Sequence, residues 1–167
     1  MQDCDTGQLP TIDLSFRPEL DNVSAVREFL ERYYSPLLQD QDLVGRMAVA
    51  VHELLENAAK YSKGGPSRLR VGSRGTNGAT MLSVSVSNVA AREHVDGLMH
   101  TVKELGEGEN TAEVYQCFLA RAARRKKGSG LGLARIHAEA EMTLTVSFQG
   151  DHVCVEAVAP LPAREET

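Results

Sequence analysis

The sequence predicts an α/β (α+β) two-layer sandwich, with a sheet on one side and helices on the other. Three observations carry that expectation. Alternating apolar runs recur as five candidate strands, at Thr11–Phe16, Leu69–Ser73, Ala79–Ser87, Thr143–Gln149 and Val153–Ala159. Between them lie four or five stretches with apolar residues at three- and four-residue spacing, as helices require. Strands and helices are mostly grouped rather than strictly alternating, which favours two layers over a wound parallel sheet.

The chain has 167 residues, enough for one domain with a sizeable core. The expected division is a flexible tail over 1–10, a domain over 11–160 and a second flexible tail over 161–167. Met1–Pro10 is polar and acidic with no apolar run, so it is not read as a secretory signal. No stretch approaches the length of a membrane span. The net charge of −5 argues against a dedicated nucleic-acid binder. Cys4, Cys117 and Cys154 are odd in number and lack metal-ligand spacing, so reduced thiols and a cytoplasmic location are expected.

The elements follow in order. Thr11–Phe16 alternates as a strand, and Arg17-Pro18 turns the chain. Asp21 or Asn22 is a candidate cap for a helix to about Tyr34, with Val23, Val26, Phe29, Leu30 and Tyr33 on one face and Pro36 closing it. Asp40 or Asp42 starts a second helix, which runs to about Ser62 before Lys63-Gly64-Gly65-Pro66 stops it. Leu69–Ser73 and Ala79–Ser87 form a hairpin across Thr76-Asn77-Gly78. In its second strand Leu82, Val84 and Val86 alternate with serines, so one face is buried and the other polar. Val95, Leu98, Met99, Val102 and Leu105 make a short amphipathic helix ended by Gly106-Glu107-Gly108, and Asn110 or Thr111 caps another. A helix from Leu131 to about Glu141 precedes a closing hairpin across Gly150-Asp151.

Two stretches carry the candidate chemistry. In the second helix Glu53 and Asn57 are four residues apart and share a side, with Lys60 close to the same rim and Tyr61 next to it. Asn offers a neutral oxygen to Mg2+, Lys a point charge to phosphate, and Glu can accept a proton. The alternative is a solvated helix edge. The second stretch is Lys127-Gly128-Ser129-Gly130-Leu131-Gly132-Leu133, with three glycines in five residues leading into a helix. Glycines let a backbone approach a ligand, and the helix start aims N–H groups at it. The spacing is neither a dinucleotide fingerprint nor a P-loop.

Together these stretches resemble the GHKL ATP-binding domain shared by gyrase B, the related heat-shock chaperones, sensor histidine kinases and mismatch-repair MutL. Glu53-x-x-x-Asn57-Ala-x-Lys60-Tyr61 is similar to that family's N box, and Gly128-x-Gly130-Leu131-Gly132-Leu133 to its second glycine box. The resemblance covers about Leu14–Val158 and is closest to the stand-alone anti-sigma-factor serine kinases. It implies a Bergerat-type ATP-binding fold, with a mixed, mainly antiparallel sheet covered by helices on one face and a lid at about 89–127. It implies ATP and Mg2+ as cofactors, with Glu53 as base, Asn57 as Mg2+ ligand and the glycine box as phosphate cradle. It also implies a regulatory protein partner, either a sigma factor or a protein resembling an anti-sigma antagonist, and a homodimer.

One motif departs from the family. Where the family carries Asp-x-Gly-x-Gly for the adenine, this chain reads Asn88-Val89-Ala90-Ala91-Arg92. Asn88 can still accept from an adenine amino group, but it brings no charge, and Ala90 restricts the backbone. An altered adenine pocket is expected. Arg121, Arg124, Arg125, Lys126 and Lys127 could hold a γ-phosphate or an acidic partner, or could complement a helix C-terminus. His52 has no HExxH pattern around it, and the other histidines share no spacing that suggests zinc. Three functions stay open: a protein serine kinase, a binding module with weak or no nucleotide binding, and an ATP hydrolase.

Overall fold

The computed structural model describes residues 8–76, 78–125, 128 and 130–162. The predicted tails fall mostly outside that range. So do Asn77 of the first hairpin turn, Lys126 and Lys127 of the basic cluster, and Ser129 of the glycine box.

Five strands and five helices follow one another among the described residues. Strand β1 (Ile12–Phe16) leads into helices α1 (Leu20–Leu38) and α2 (Gln41–Tyr61). The hairpin of β2 (Ser67–Thr76) and β3 (Ala79–Val89) is followed by α3 (Arg92–Glu107), α4 (Thr111–Arg124) and α5 (Leu131–Ala138). Strands β4 (Thr143–Gln149) and β5 (His152–Pro160) close the chain. The sheet order is β1-β2-β3-β5-β4. All four pairings are antiparallel, so the mixed character expected of the sheet is absent among the described strands.

The alternation read from β3 sets the two layers. Leu82, Val84 and Val86 turn inward beside Leu69 and Val71 of β2 and Val153, Val155, Ala157 and Ala159 of β5. Against them pack Leu30, Met47, Val51, Leu54 and Leu55 from α1 and α2, and Ile136 from α5. Each such side chain is worth about 1.5–3 kcal/mol when fully buried. The opposite sheet face carries Ser83, Ser85 and Ser87, with Arg74 reaching Glu156 at 2.9 Å.

Tyr34 ties the first strand to this frame. Its buried hydroxyl lies 2.8 Å from the Pro10 carbonyl and 2.7 Å from that of Val71, and it accepts the Ile12 N–H. Burial pushes its pKa up to about 12.

Three helices, α1, α3 and α5, differ in extent from what the sequence suggests. Helix α1 starts one residue before Asp21, with Glu19 as cap, and Asn22 supports it from inside by accepting the Glu19 N–H at 3.1 Å. It also runs past Pro36, which sits in the last turn, where its missing N–H removes only one helical bond. Helix α3 reaches 16 residues, longer than the apolar stripe alone suggests. Helix α5 stops at Ala138 instead of Glu141. Arg46 from α2 there donates to the carbonyls of Ala140 and Glu141 at 2.6 and 2.8 Å, and Glu141 turns left-handed at φ 49°.

Candidate functional site

Helix α2 begins on Asp40, whose side chain accepts the Leu43 N–H, and its apolar stripe lies against the sheet. That orientation turns the opposite edge, with Glu53, Glu56, Asn57 and Lys60, toward the start of α5. A cleft of about 440 Å³ lies between that edge and Gly128, Gly130 and the first turn of α5, Leu131, Gly132 and Leu133. Tyr61 and Leu20 of α1 complete its lining. The two stretches singled out in the sequence therefore face one another across a single cavity.

Glu53 is nearly buried, at 9% exposure. Its Oε1 accepts from Arg135 Nη1 at 2.6 Å. Burial raises its pKa, and the Arg135 charge opposes that shift. Arg135 also donates to Glu139 at 3.3 Å, and Glu139 in turn receives the Tyr115 hydroxyl of α4. A chain of polar contacts thus runs from the candidate base through α5 to the segment expected to be a lid.

Lys60 is not a free point charge. Its Nζ lies 2.5 Å from Glu56 Oε2, and His52 Nε2 approaches the other oxygen at 3.3 Å. The Lys60 hydrogen bond holds the Glu56 carboxyl below its usual range.

The glycines have two kinds of reason. Gly130 caps α5 at φ 72°, in the left-handed region where a Cβ is strained. A Cβ there would also meet Phe118 and Thr101 at 2.9 Å. At Gly132 a Cβ would stand 2.6 Å from Glu53 Oε2, so this glycine lets α5 lie against the glutamate. Gly128, at φ 69°, has open space around it, and its N–H donates to the Tyr61 hydroxyl at 3.0 Å. Tyr61 stacks on His94 with ring centroids 4.1 Å apart and planes 17° off parallel. Burial lowers the His94 pKa, which favours the neutral ring.

Asn88 does not reach this cavity. It is 8% exposed, and its amide donates to the carbonyl of Val89 at 3.2 Å. That carbonyl also accepts the Lys63 N–H at 2.9 Å, and the Ala90 N–H donates to Asp151. Ala90, at 2% exposure, bridges to Ser62. The end of β3 is therefore sewn to its neighbours where the family motif would admit adenine. Arg121 of the basic cluster pairs with Glu104 of α3 at 2.7 Å. Lys127 and Ser129 lie outside the described residues.

Asn57, Lys60 and the start of α5 suit a metal-bound phosphate chain. Asn88 donates through its amide nitrogen, and its side-chain oxygen can accept from an amino group.

Sequence reasoning did not find Arg135, Glu139, Tyr115 or His94 as parts of this region. Local i,i+4 spacing did mark two pairs, Glu56 with Lys60 and Arg135 with Glu139. Arg135 and Glu53 are 82 residues apart, beyond any local pattern.

No family model matches the chain, and no curated protein does. Its fold does have a solved counterpart. The structure is similar to a chain of the SiaB–SiaC complex from Pseudomonas aeruginosa, with a TM-score of 0.62 over 89% of each chain. The two share 15% identity, so the likeness is one of fold. Among the described residues no helix is long and apolar enough to cross a membrane.

Proposed function

We propose that this chain is an ATP-binding regulatory protein of the anti-sigma-factor, serine-kinase type, which transfers the γ-phosphate to a Ser or Thr of a partner protein. The observation that carries the reading is the single cleft between the Glu53–Asn57–Lys60 edge of α2 and the glycine-led start of α5. The structural neighbour is a chain from a two-protein complex, which supports a protein partner here too.

Bound ATP and Mg2+ would supply the phosphoryl group and neutralise its charge. Asn57 would hold the metal and Lys60 the phosphate oxygens. Glu53, with its raised pKa, would take the proton of the target hydroxyl as that oxygen bonds to phosphorus and ADP leaves. To act as base it must loosen from Arg135.

A second reading keeps the fold as a protein-binding module with weak or no nucleotide binding. The inward-turned Asn88 and the Glu53–Arg135 pair favour it. Hydrolysis like that of gyrase stands third. Calorimetric titration with ATP and ADP, with and without Mg2+, separates the first two. Saturable, Mg2+-dependent binding supports the kinase reading. No heat up to millimolar nucleotide removes it and leaves the binding module.

A further inference from the structure

We infer that the outer edge of β4 pairs antiparallel with β4 of a second copy of this chain, joining two five-stranded sheets across a two-fold axis. The inference concerns the sheet edge and is independent of the cleft and of what binds there. Three observations lead to it.

The first is the place and composition of the strand. β4 stands last in the order β1-β2-β3-β5-β4 and pairs only with β5 among the described strands. All seven of its residues, Thr143–Gln149, pair in unbroken register, so no bulge turns the edge away. The sequence TLTVSFQ holds no charged residue, proline or glycine. Edge strands that stay single are blunted by such features, because free N–H and C=O groups accept another strand.

The second is the contrast with the opposite edge. Strand β1 carries Asp13 at its centre, held by Arg68 and Arg70 at 2.6 and 3.1 Å. Its Ile12 N–H is already given to the Tyr34 hydroxyl at 3.3 Å. One edge of the sheet is protected and the other is not.

The third is self-complementarity. Along β4, Leu144, Val146 and Phe148 lie on the helix side, and Thr143, Thr145, Ser147 and Gln149 on the open side. The antiparallel register that pairs all seven residues puts the two-fold axis at Val146. It sets Leu144 opposite Phe148 of the other copy, and Thr145 opposite Ser147. Apolar then meets apolar and hydroxyl meets hydroxyl on the same faces. Phe148 is 41% exposed in the single chain, with the Arg92 guanidinium 4.8 Å from its ring centroid. The pairing gives it an apolar neighbour.

The test is sedimentation equilibrium on the intact chain from about 5 μM to about 1 mM. A seven-residue strand pair is small for a protein interface, so a reversible dimer with a Kd of about 10–100 μM is expected. Two double variants at the exposed open-side positions test the register. Thr145→Lys with Ser147→Lys sets like charges opposite one another and should raise the Kd at least about tenfold. Thr145→Lys with Ser147→Glu sets opposite charges there and should dimerise as wild type does. A wild-type chain that stays monomeric to about 1 mM overturns the inference. So does a double-lysine variant that still dimerises normally, which would put the interface elsewhere, or a mixed-charge variant that stays monomeric. Circular dichroism checks that both variants fold. If either does not, hydrogen exchange on wild type decides. Amides of β4 better protected at high than at low protein concentration support the pairing, and equal protection refutes it.

Discussion

Arg135→Met should expose how the candidate base is held. Methionine keeps an unbranched apolar stem but removes the guanidinium that lies 2.6 Å from Glu53 Oε1. Two unit charges about 4 Å apart interact by about 4 kcal/mol at the effective dielectric near a protein surface, and by about 1 kcal/mol in water. The Arg135 side chain is 42% exposed and that of Glu53 only 10%, so the pair lies between these limits. A loss of about 2 kcal/mol at neutral pH is expected, which for a domain of this size lowers Tm by about 4–8 °C. The exposed Arg135–Glu139 contact adds at most about 0.5 kcal/mol. The pH dependence identifies the cause. Burial already places the folded pKa of Glu53 above its unfolded value of 4.5. A group with a raised folded pKa favours the fold below the unfolded value, and that contribution is lost as pH rises through the folded one. Removing Arg135 raises the folded pKa further, so the variant's deficit should grow as pH rises through the wild-type folded pKa, which lies above 4.5, and nearly vanish well below it. Urea denaturation of wild type and variant at about pH 7.5 and about pH 4 measures both numbers. An equal deficit at the two pH values, or none at either, would refute the ion-pair account.

Three further changes test other parts of the structure. Tyr34→Phe leaves the Pro10 and Val71 carbonyls without their hydroxyl and should cost about 1–2 kcal/mol in urea unfolding; unchanged stability would mean β1 is held by its ladder alone. Gly132→Ala places a Cβ 2.6 Å from Glu53 Oε2, the far end of that side chain, and gains about 1 kcal/mol of helix propensity, so the net destabilisation should not exceed about 1 kcal/mol. Adding Glu53→Ala should recover much of that loss, and a double variant no better than the single one would show that backbone and not the carboxylate is the obstacle. Asn57→Ala should weaken Mg2+-dependent nucleotide binding at least about tenfold by calorimetry, and an unchanged affinity would take Asn57 out of the metal site.

What the sequence made legible was local and periodic. Glu53, Asn57 and Lys60 share a helix edge because a helix repeats every 3.6 residues. Three glycines ahead of a helix announce an unusual entry wherever they occur. Both signals survive without knowledge of neighbours, and the structure places the two stretches opposite each other. The contacts that set the state of these groups are of another kind. Arg135 meets Glu53 across 82 residues, and the Tyr115 hydroxyl reaches Glu139 across 24. No spacing rule predicts them, since they follow from how α5 and α4 come to rest on α2.

The glycines show how a correct local signal can carry a second meaning. Their pattern invites a purely ligand-centred explanation, an open cradle for phosphate. Yet Gly130 is also demanded by Phe118 and Thr101, and Gly132 by Glu53 itself. Only Gly128, with open space where a Cβ would be, is left for a ligand or for the φ of 69° alone. The same holds at Asn88. The sequence marks it as a departure from Asp, but the loss of charge is the smaller part of the change. The larger part is that its amide turns to Val89, in a strand end held by Lys63 and Asp151.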